Sequence, residues 1–546
     1  MLIDLWLKIN DGSNKITDSE YELLRTRKIS SSDIERLKRN RITDSELETI
    51  DKKQAYIYYL MHNGYSYQEK LIKKDVTDSE YAYIKEGNLK GVIGKLTWER
   101  KILYDSLKGF IGNVSSETVG LTEDLKDYYL KKGYKLTDRV GLSGLELFYD
   151  EYLRGEPAKY RNFGNGLELV SEEKKGNDLV LSIDIDLQLE IESIVEKEML
   201  KAKKEPNTEY FNRVFTIISN PYTGEIKAMV AKLINNNKVY DYSSYIINSQ
   251  VTVGSVIKGA SISVGYKEGV IDIGSILKDE CIKISNTPVK CSWNRRGFGN
   301  INDINALRLS SNVYQFKTAL KVAGYNYYYN MPFSINNDAF NKYRTMFNSY
   351  GLGVKTGIDL PNESIGLKGS NDTPGLLLDF AIGQYDIYTP LQLTQYINTI
   401  ANGGNRYKLY LLKEVYNNID DKLLLSNDKY LLNKIDLDKK YLDRIKDGFK
   451  SVLGYNGTGY GYIDLKYNPA GKTGTSQSFY DSDNDGIIDK ETITSTFAGF
   501  APYDNPKMSI VVVTPDVSHV YGSSYMSLVN RRISNEITKK YFEIYK

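Results

Sequence analysis

Strand-like segments stand at both ends of residues 179–546, and helical sequence fills the span between them. A sheet made from such a chain has to draw its strands from both ends and carry the middle as packed helices. Residues 179–183, 214–219 and 225–230 read as strands, and Asn220-Pro221-Tyr222-Thr223-Gly224 between the last two is a hairpin turn. Near the other end, residues 495–501 and 508–514 are strands joined across 502–506, with a final helix from Ser527 onward. An amphipathic helix over residues 186 to about 203 follows the first strand. The expected class is α+β.

The N-terminal region reads differently. Thr17 with Glu20, Thr43 with Glu46 and Thr77 with Glu80 repeat one phrase, and Ser30 with Asp33 is a looser copy. In each strict copy a threonine hydroxyl and a glutamate three residues later satisfy two free amides at a helix start, so short capped helices are expected. The unequal spacing argues against a repeat array. At 546 residues the chain is too long for one core. The polar, glycine-rich stretch 155–178 is read as a linker, dividing the chain into residues 1–165 and 170–546. Lys and Arg number 72 against 70 Asp and Glu, so the net charge of +2 gives no electrostatic reason to expect nucleic acid. No segment approaches the roughly 20 apolar residues that span a bilayer; Asp4 interrupts the apolar run that begins at Leu2, and Lys8 ends it.

Three short motifs carry the chemistry. Ser255-Val256-Ile257-Lys258 opens a helical run, which places a hydroxyl and an amine one turn apart on one face. A serine hydroxyl needs a base to take its proton, and a lysine serves when burial or a neighbouring cation lowers its pKa. Ser310-Ser311-Asn312 offers a hydroxyl and an amide suited to relaying a proton and holding a substrate amide, although the same triplet is a good helix cap. Lys472-Thr473-Gly474-Thr475 offers a cation and hydroxyls on a strand edge, with a glycine that permits close backbone approach. Each motif alone is common. Their order, at 55 and 217 residues after Ser255, is not.

That ordered set resembles the serine β-lactamases and penicillin-binding proteins. Residues 351–361, 381–384 with 389–393, and 400–404 look like further blocks of the latter family. Gly144-Leu145-Glu146, Tyr149-Asp150 and Leu153-Arg154-Gly155 resemble the non-catalytic module of its class B members, of a low-GC Gram-positive type with a cysteine pair in the catalytic domain. The resemblance implies a helical or mixed N-terminal pedestal of the dimerisation type. It implies a transpeptidase domain with an antiparallel sheet flanked by helices on both faces. Ser255 would be the acylated nucleophile, Lys258 its base, Ser310 the proton relay, Asn312 the amide-binding residue and Lys472 an electrostatic contributor. Thr473, Gly474 and Thr475 would bind the substrate carboxylate and form the strand edge, with the amides of Ser255 and Thr475 as oxyanion hole. The implied reaction is attack on D-Ala-D-Ala stem peptides of peptidoglycan, with β-lactams as covalent inhibitors and no cofactor needed for the chemistry. The implied partners are a separate glycosyltransferase and other cell-wall synthesis proteins. The implied place is the extracytoplasmic face of a bacterial membrane, reached through an N-terminal anchor helix absent from this chain. A β-lactam sensor or scaffold, and a D,D-carboxypeptidase or β-lactamase-like hydrolase, are the alternatives.

Two segments depart from the family pattern. Cys281 and Cys291 lie between the first two motifs, a region where many relatives carry Gly-His-Gly and this chain has Gly297-Phe298-Gly299. A disulfide, a zinc site and free thiols are the open readings. Zinc is favoured, with His519 as the imidazole and Asp279 as the carboxylate completing the pair. Asp481, Asp483, Asp485 and Asp489 fall at positions 1, 3, 5 and 9 of a calcium-loop pattern with Gly486 at position 6, although position 12 is Thr492.

Overall fold

The computed structural model describes all residues except 66–69, 88, 90, 95–97, 117–118, 157, 163–166, 335–336, 370–372, 484 and 520–524. The expected linker therefore lies partly outside the described residues. Two compact units emerge: residues 1–99 with 161–168, and residues 100–160 with 169–546.

The smaller unit is made of short helices, among them Leu2–Asn10, Asp18–Arg25, Ser31–Asn40, Lys52–His62 and Asp78–Glu86. The expected caps are present. The amides of Thr17, Thr43 and Thr77 donate to Glu20, Glu46 and Glu80 at 2.9, 2.8 and 3.0 Å. The looser copy does the same, Ser30 donating to Asp33 at 3.0 Å. A small core of Leu5, Trp6, Ile50 and Ala55 holds the first of these helices to Lys52–His62.

The larger unit is built on six antiparallel strands: β1 (Arg213–Ser219), β2 (Ile226–Asn235), β3 (Lys238–Asp241), β4 (Ala470–Tyr480), β5 (Lys490–Ala501) and β6 (Met508–His519). Their order is β4-β5-β6-β1-β2-β3, so the two ends of the chain meet where β6 pairs with β1. The segment expected as a strand at 179–183 forms Asp178–Leu181, but it pairs with Leu412–Tyr416 in a separate sheet.

Seven helices position the site and its supports: α1 (Ile185–Ala202), α2 (Lys258–Lys267), α3 (Asp303–Arg308), α4 (Asn312–Val322), α5 (Pro390–Ala401), α6 (Lys439–Leu453) and α7 (Val529–Ile544). Helices α1 and α7 pack on each other, on β2 and on β6, while α5 packs on β1, β5 and β6. Successive residues of β6 are buried from Met508 to Ser518, so both faces of that strand are covered. Helix α5 is buried along its whole length. It starts on a Thr389–Gln392 capping box with Pro390 in the first turn, where the missing N–H costs no helix bond. Residues 100–160 are sewn to the rest of this unit at Asp359. That buried carboxylate accepts from the Tyr149 hydroxyl at 2.8 Å and from the amides of Leu411 and Leu412, both at 2.7 Å. Among the described residues no helix is long and apolar enough to cross a membrane.

A buried ion pair joins three of the site helices. Arg444 on α6 grips Asp303 on α3 with two bonds of 2.7 and 2.8 Å, and the Tyr266 hydroxyl on α2 donates to the same carboxylate at 2.5 Å. Burial alone would raise the Asp303 pKa; the bonds from Arg444 and Tyr266 outweigh it and hold the acid below its usual value. The pair therefore stabilises the fold above the ordinary carboxylate range, and this contribution fades as pH falls through the lowered pKa. Replacing Arg444 by Met leaves the carboxylate buried without its cation. A loss of about 3–5 kcal/mol is expected in urea unfolding at neutral pH, shrinking in acid as Asp303 takes up a proton.

Candidate active site

Ser255 sits half-exposed in a 3-10 turn, Gly254–Ile257, that runs directly into α2. Three glycines let backbone crowd around it. Gly254 has φ +59°, and a Cβ there would lie 2.6 Å from the Thr475 carbonyl oxygen. A Cβ on Gly474 would lie 2.0 Å from Thr496 Oγ1 and 2.3 Å from the Val253 carbonyl. Gly383, whose carbonyl accepts the Gly254 amide at 2.9 Å, has room for no Cβ either, since one would meet the Gly254 oxygen at 2.2 Å. Hydroxyls on β4 and β5 then pin both strands to the chain ahead of Ser255. Thr496 Oγ1 donates to the Val253 carbonyl and Ser476 Oγ to the Thr252 carbonyl, each at 2.7 Å. The glycine of the third motif is thus a packing requirement of the first.

Lys258 is fully buried one turn beyond Ser255. Its Nζ donates to the Ser310 carbonyl at 2.8 Å and to Asn312 Oδ1 at 2.6 Å, and lies 3.4 Å from Ser310 Oγ. Lys472 is buried on β4, its Nζ donating to Ser310 Oγ at 2.9 Å and to the Thr473 carbonyl at 2.8 Å. Burial, and secondarily the charge of Lys472, push the Lys258 amine well below its usual pKa, against a smaller opposing pull from Asp279. Burial brings Lys472 to about 7. A neutral Lys258 has two protons and one lone pair. With its protons on the Ser310 carbonyl and the Asn312 amide oxygen, the lone pair is left for a hydroxyl proton. Ser310 Oγ accepts from Lys472 and so has its own proton to pass on. Ser310 itself has φ +53°, an uncommon backbone state for a residue with a side chain and one that clusters at functional sites.

The structure brings Lys258, Ser310, Asn312 and Lys472 into one hydrogen-bonded group, with Ser255 one turn from Lys258. Thr473 is half-exposed and Thr475 exposed on β4, with Thr475 opposite Ser495. Among the described residues no strand pairs with the outer side of β4.

The zinc set is not assembled. Cys281 and Cys291 are joined in a disulfide with S–S 2.02 Å, so neither sulfur is a thiolate able to bind a metal. His519 lies at the end of β6, its Nε2 2.8 Å from Glu209 Oε1. Asp279 accepts from the hydroxyls of Ser292 and Ser311. The separation of ten residues did not distinguish these outcomes, because the folded chain decides which partner each sulfur meets.

The acidic loop is assembled by half. Asp481, Asp483 and Asp485 offer carboxylate oxygens within 4.8 Å of one another. Asp489 is turned instead to the amide and hydroxyl of Ser482, at 2.9 and 2.6 Å, and to Lys490 at 2.9 Å. Thr492, at the twelfth position, gives its hydroxyl to Asp516 at 2.6 Å. Sequence reasoning also missed the support beneath Asn312, formed by Asp279, Ser292 and Ser311. Only the Ser-Ser-Asn cap signal pointed there.

Residues 214–539 match the family described as the penicillin-binding protein transpeptidase domain, and residues 15–181 match the penicillin-binding protein dimerisation domain. Penicillin-binding protein 2A of Bacillus subtilis (strain 168) is 40% identical over 504 residues, covering 89% of this chain and 70% of that one. Penicillin-binding protein 2B of Streptococcus pneumoniae (strain R6) is 32% identical over 490 residues, covering 85% and 71%. A solved structure of penicillin-binding protein 2B from Streptococcus pneumoniae (strain R6) superposes with TM-score 0.83 at 28% identity, covering 100% of this chain and 89% of the other.

Two outcomes follow from this geometry. Gly474→Ala forces β4 away from the nucleophile turn, and an overpacking cost of about 1–3 kcal/mol is expected in thermal or urea unfolding, with loss of labelling by a fluorescent penicillin. On the reading of Lys258 as the base, acylation requires it without its proton, so the rate is expected to rise with pH through the lowered Lys258 pKa and then level off. In Lys472→Gln the neighbouring cation is gone and that rising limb moves to higher pH, read from second-order labelling rates across the pH range.

Proposed function

The chain belongs to the class B penicillin-binding proteins, and on that premise we propose how its own residues carry out D,D-transpeptidation of peptidoglycan stem peptides. The observation that carries the proposal is the buried relay from Lys258 through Ser310 to Lys472, set beside a half-exposed Ser255. Ser255 Oγ attacks the carbonyl carbon of the penultimate D-Ala, and its proton passes to the neutral Lys258. The tetrahedral oxyanion lies between the amides of Ser255 and Thr475 at the start of α2 and the edge of β4. Collapse breaks the peptide bond. Ser310 hands a proton to the leaving nitrogen and recovers one from the lysine pair, and D-Ala departs. An amine of a second stem then attacks the acyl ester, loses its proton along the same path and frees Ser255. Thr473 and Thr475 hold the terminal carboxylate, Asn312 the substrate amide, and the uncovered side of β4 gives an extended peptide a strand to lie along.

A β-lactam enters by the same attack, its amide opening onto Ser255. Residues 1–165 are proposed as the pedestal and 170–546 as the catalytic part. We place the protein on the extracytoplasmic side of the membrane, working with a separate glycosyltransferase that lengthens the glycan strands. Intact mass after exposure to penicillin is expected to show one long-lived adduct, mapped by peptide digestion to Ser255 and absent from Ser255→Ala. A D-Ala-D-Ala peptide with an amine acceptor is expected to release D-Ala and form the cross-linked product. Rapid loss of the penicillin adduct would instead indicate a hydrolase, and adduct without any D-Ala release a sensor.

A further inference from the structure

One buried acid beside the relay takes no part in the steps above. Asp279 is 2% exposed and ends the first strand of a short ribbon, Leu277–Asp279 paired with Gly299–Ile301. Its Oδ2 accepts from Ser292 Oγ at 2.7 Å and from Ser311 Oγ. An ionised carboxylate has no proton to give, so both hydroxyl protons point toward it. The hydroxyl lone pairs are thereby turned to the start of α4. Ser292 Oγ accepts the amides of Asn312 and Val313 at 3.0 and 3.3 Å, and Ser311 Oγ accepts that of Tyr314 at 2.9 Å. Three amides left without partners by the helix start are thus satisfied by two hydroxyls backed by one charge. Asn312 opens this helix, and its side chain reaches Lys258 at 2.6 Å on one end and the Cys291 carbonyl at 3.3 Å on the other.

We infer that Asp279 is a positioning residue: by orienting Ser292 and Ser311 it fixes the first turn of α4, and through Asn312 it fixes the Lys258 amine. This rests on the reading of Lys258 as the base. The two charged groups acting on Lys258 are then Lys472, which lowers its pKa, and Asp279, which opposes that. Asp279 thus has two separable effects, one of geometry and one of charge.

Asp279→Asn and Ser311→Ala separate them. An amide cannot serve both sides. With its oxygen on Ser292 and Ser311 its NH2 group meets the Phe298 amide, a donor that Oδ1 accepts at 3.4 Å; turned round, it offers N–H to the two hydroxyls, which must then withdraw lone pairs from the helix start. Acylation by labelled penicillin is expected to slow by about 10–100-fold, the range for displacing a catalytic group by a fraction of an ångström to an ångström. The rising limb of its pH profile moves to lower pH, because the charge that favoured the Lys258 proton is gone. Ser311→Ala keeps the charge and is expected to slow acylation without moving the limb. Wild-type rate and pH profile in Asp279→Asn would overturn this inference alone. A wild-type protein that takes no label would overturn the reading of Ser255, and this inference with it. If Asp279→Asn fails to fold, wild-type rates in both Ser292→Ala and Ser311→Ala overturn it equally.

Discussion

Two lysine amines buried around one serine hydroxyl set the terms for the rest of the larger unit. Lys258 and Lys472 approach Ser310 Oγ from opposite sequence ends, at 3.4 and 2.9 Å. Two ammonium ions so close and so poorly hydrated repel each other, so at least one must give up its proton near neutral pH. The same burial that would count as a defect elsewhere leaves an amine unprotonated near neutral pH and so free to accept a proton. Keeping that pocket dry takes a helix start, a strained serine, a strand and a well-packed core behind them. Most of the larger unit can be read as the support for that exclusion of water.

The approach of backbone to backbone is the second requirement. With Gly254, Gly383 and Gly474 in contact distance of their neighbours' main chain, the nucleophile turn, the segment before α5 and β4 form one compact joint. Because β4 comes from residues 470–480 and the turn from residues 254–257, the joint closes a loop of more than two hundred residues. The pairing of β6 with β1 closes another long loop. The site is assembled only when both are made, so it is a product of the whole domain rather than of any local segment.

How much of this the sequence disclosed depends on how local the signal was. The capping boxes of the small unit and the strands at 214–219, 225–230, 495–501 and 508–514 rest on periodicity and on side chains that satisfy their own backbone. They stand where expected. The relay was legible because its members are chemically unusual in their order. Pairing was not legible. The strand near residue 180 joined a different sheet, and nothing in its own side chains names a partner. The cysteines are joined to each other, and His519 pairs with Glu209. Asp279 was noticed as a ligand type, whereas its part under Asn312 depends on two serines brought to it by folding, 13 and 32 residues away.

The open side of β4 has a cost that catalysis conceals. Unpaired main-chain groups on an exposed strand are a template for any extended chain, including a second molecule of this protein, and proteins that keep such edges need a deterrent. Past the substrate-facing residues, this hairpin carries Asp481, Asp483, Asp485 and Asp489 at its turn. Like charges at the tip oppose stacking of one hairpin on another, in the way gatekeeper residues flank strands prone to aggregation. An acidic turn thereby also guards the edge of a strand that has no outer neighbour among the described residues.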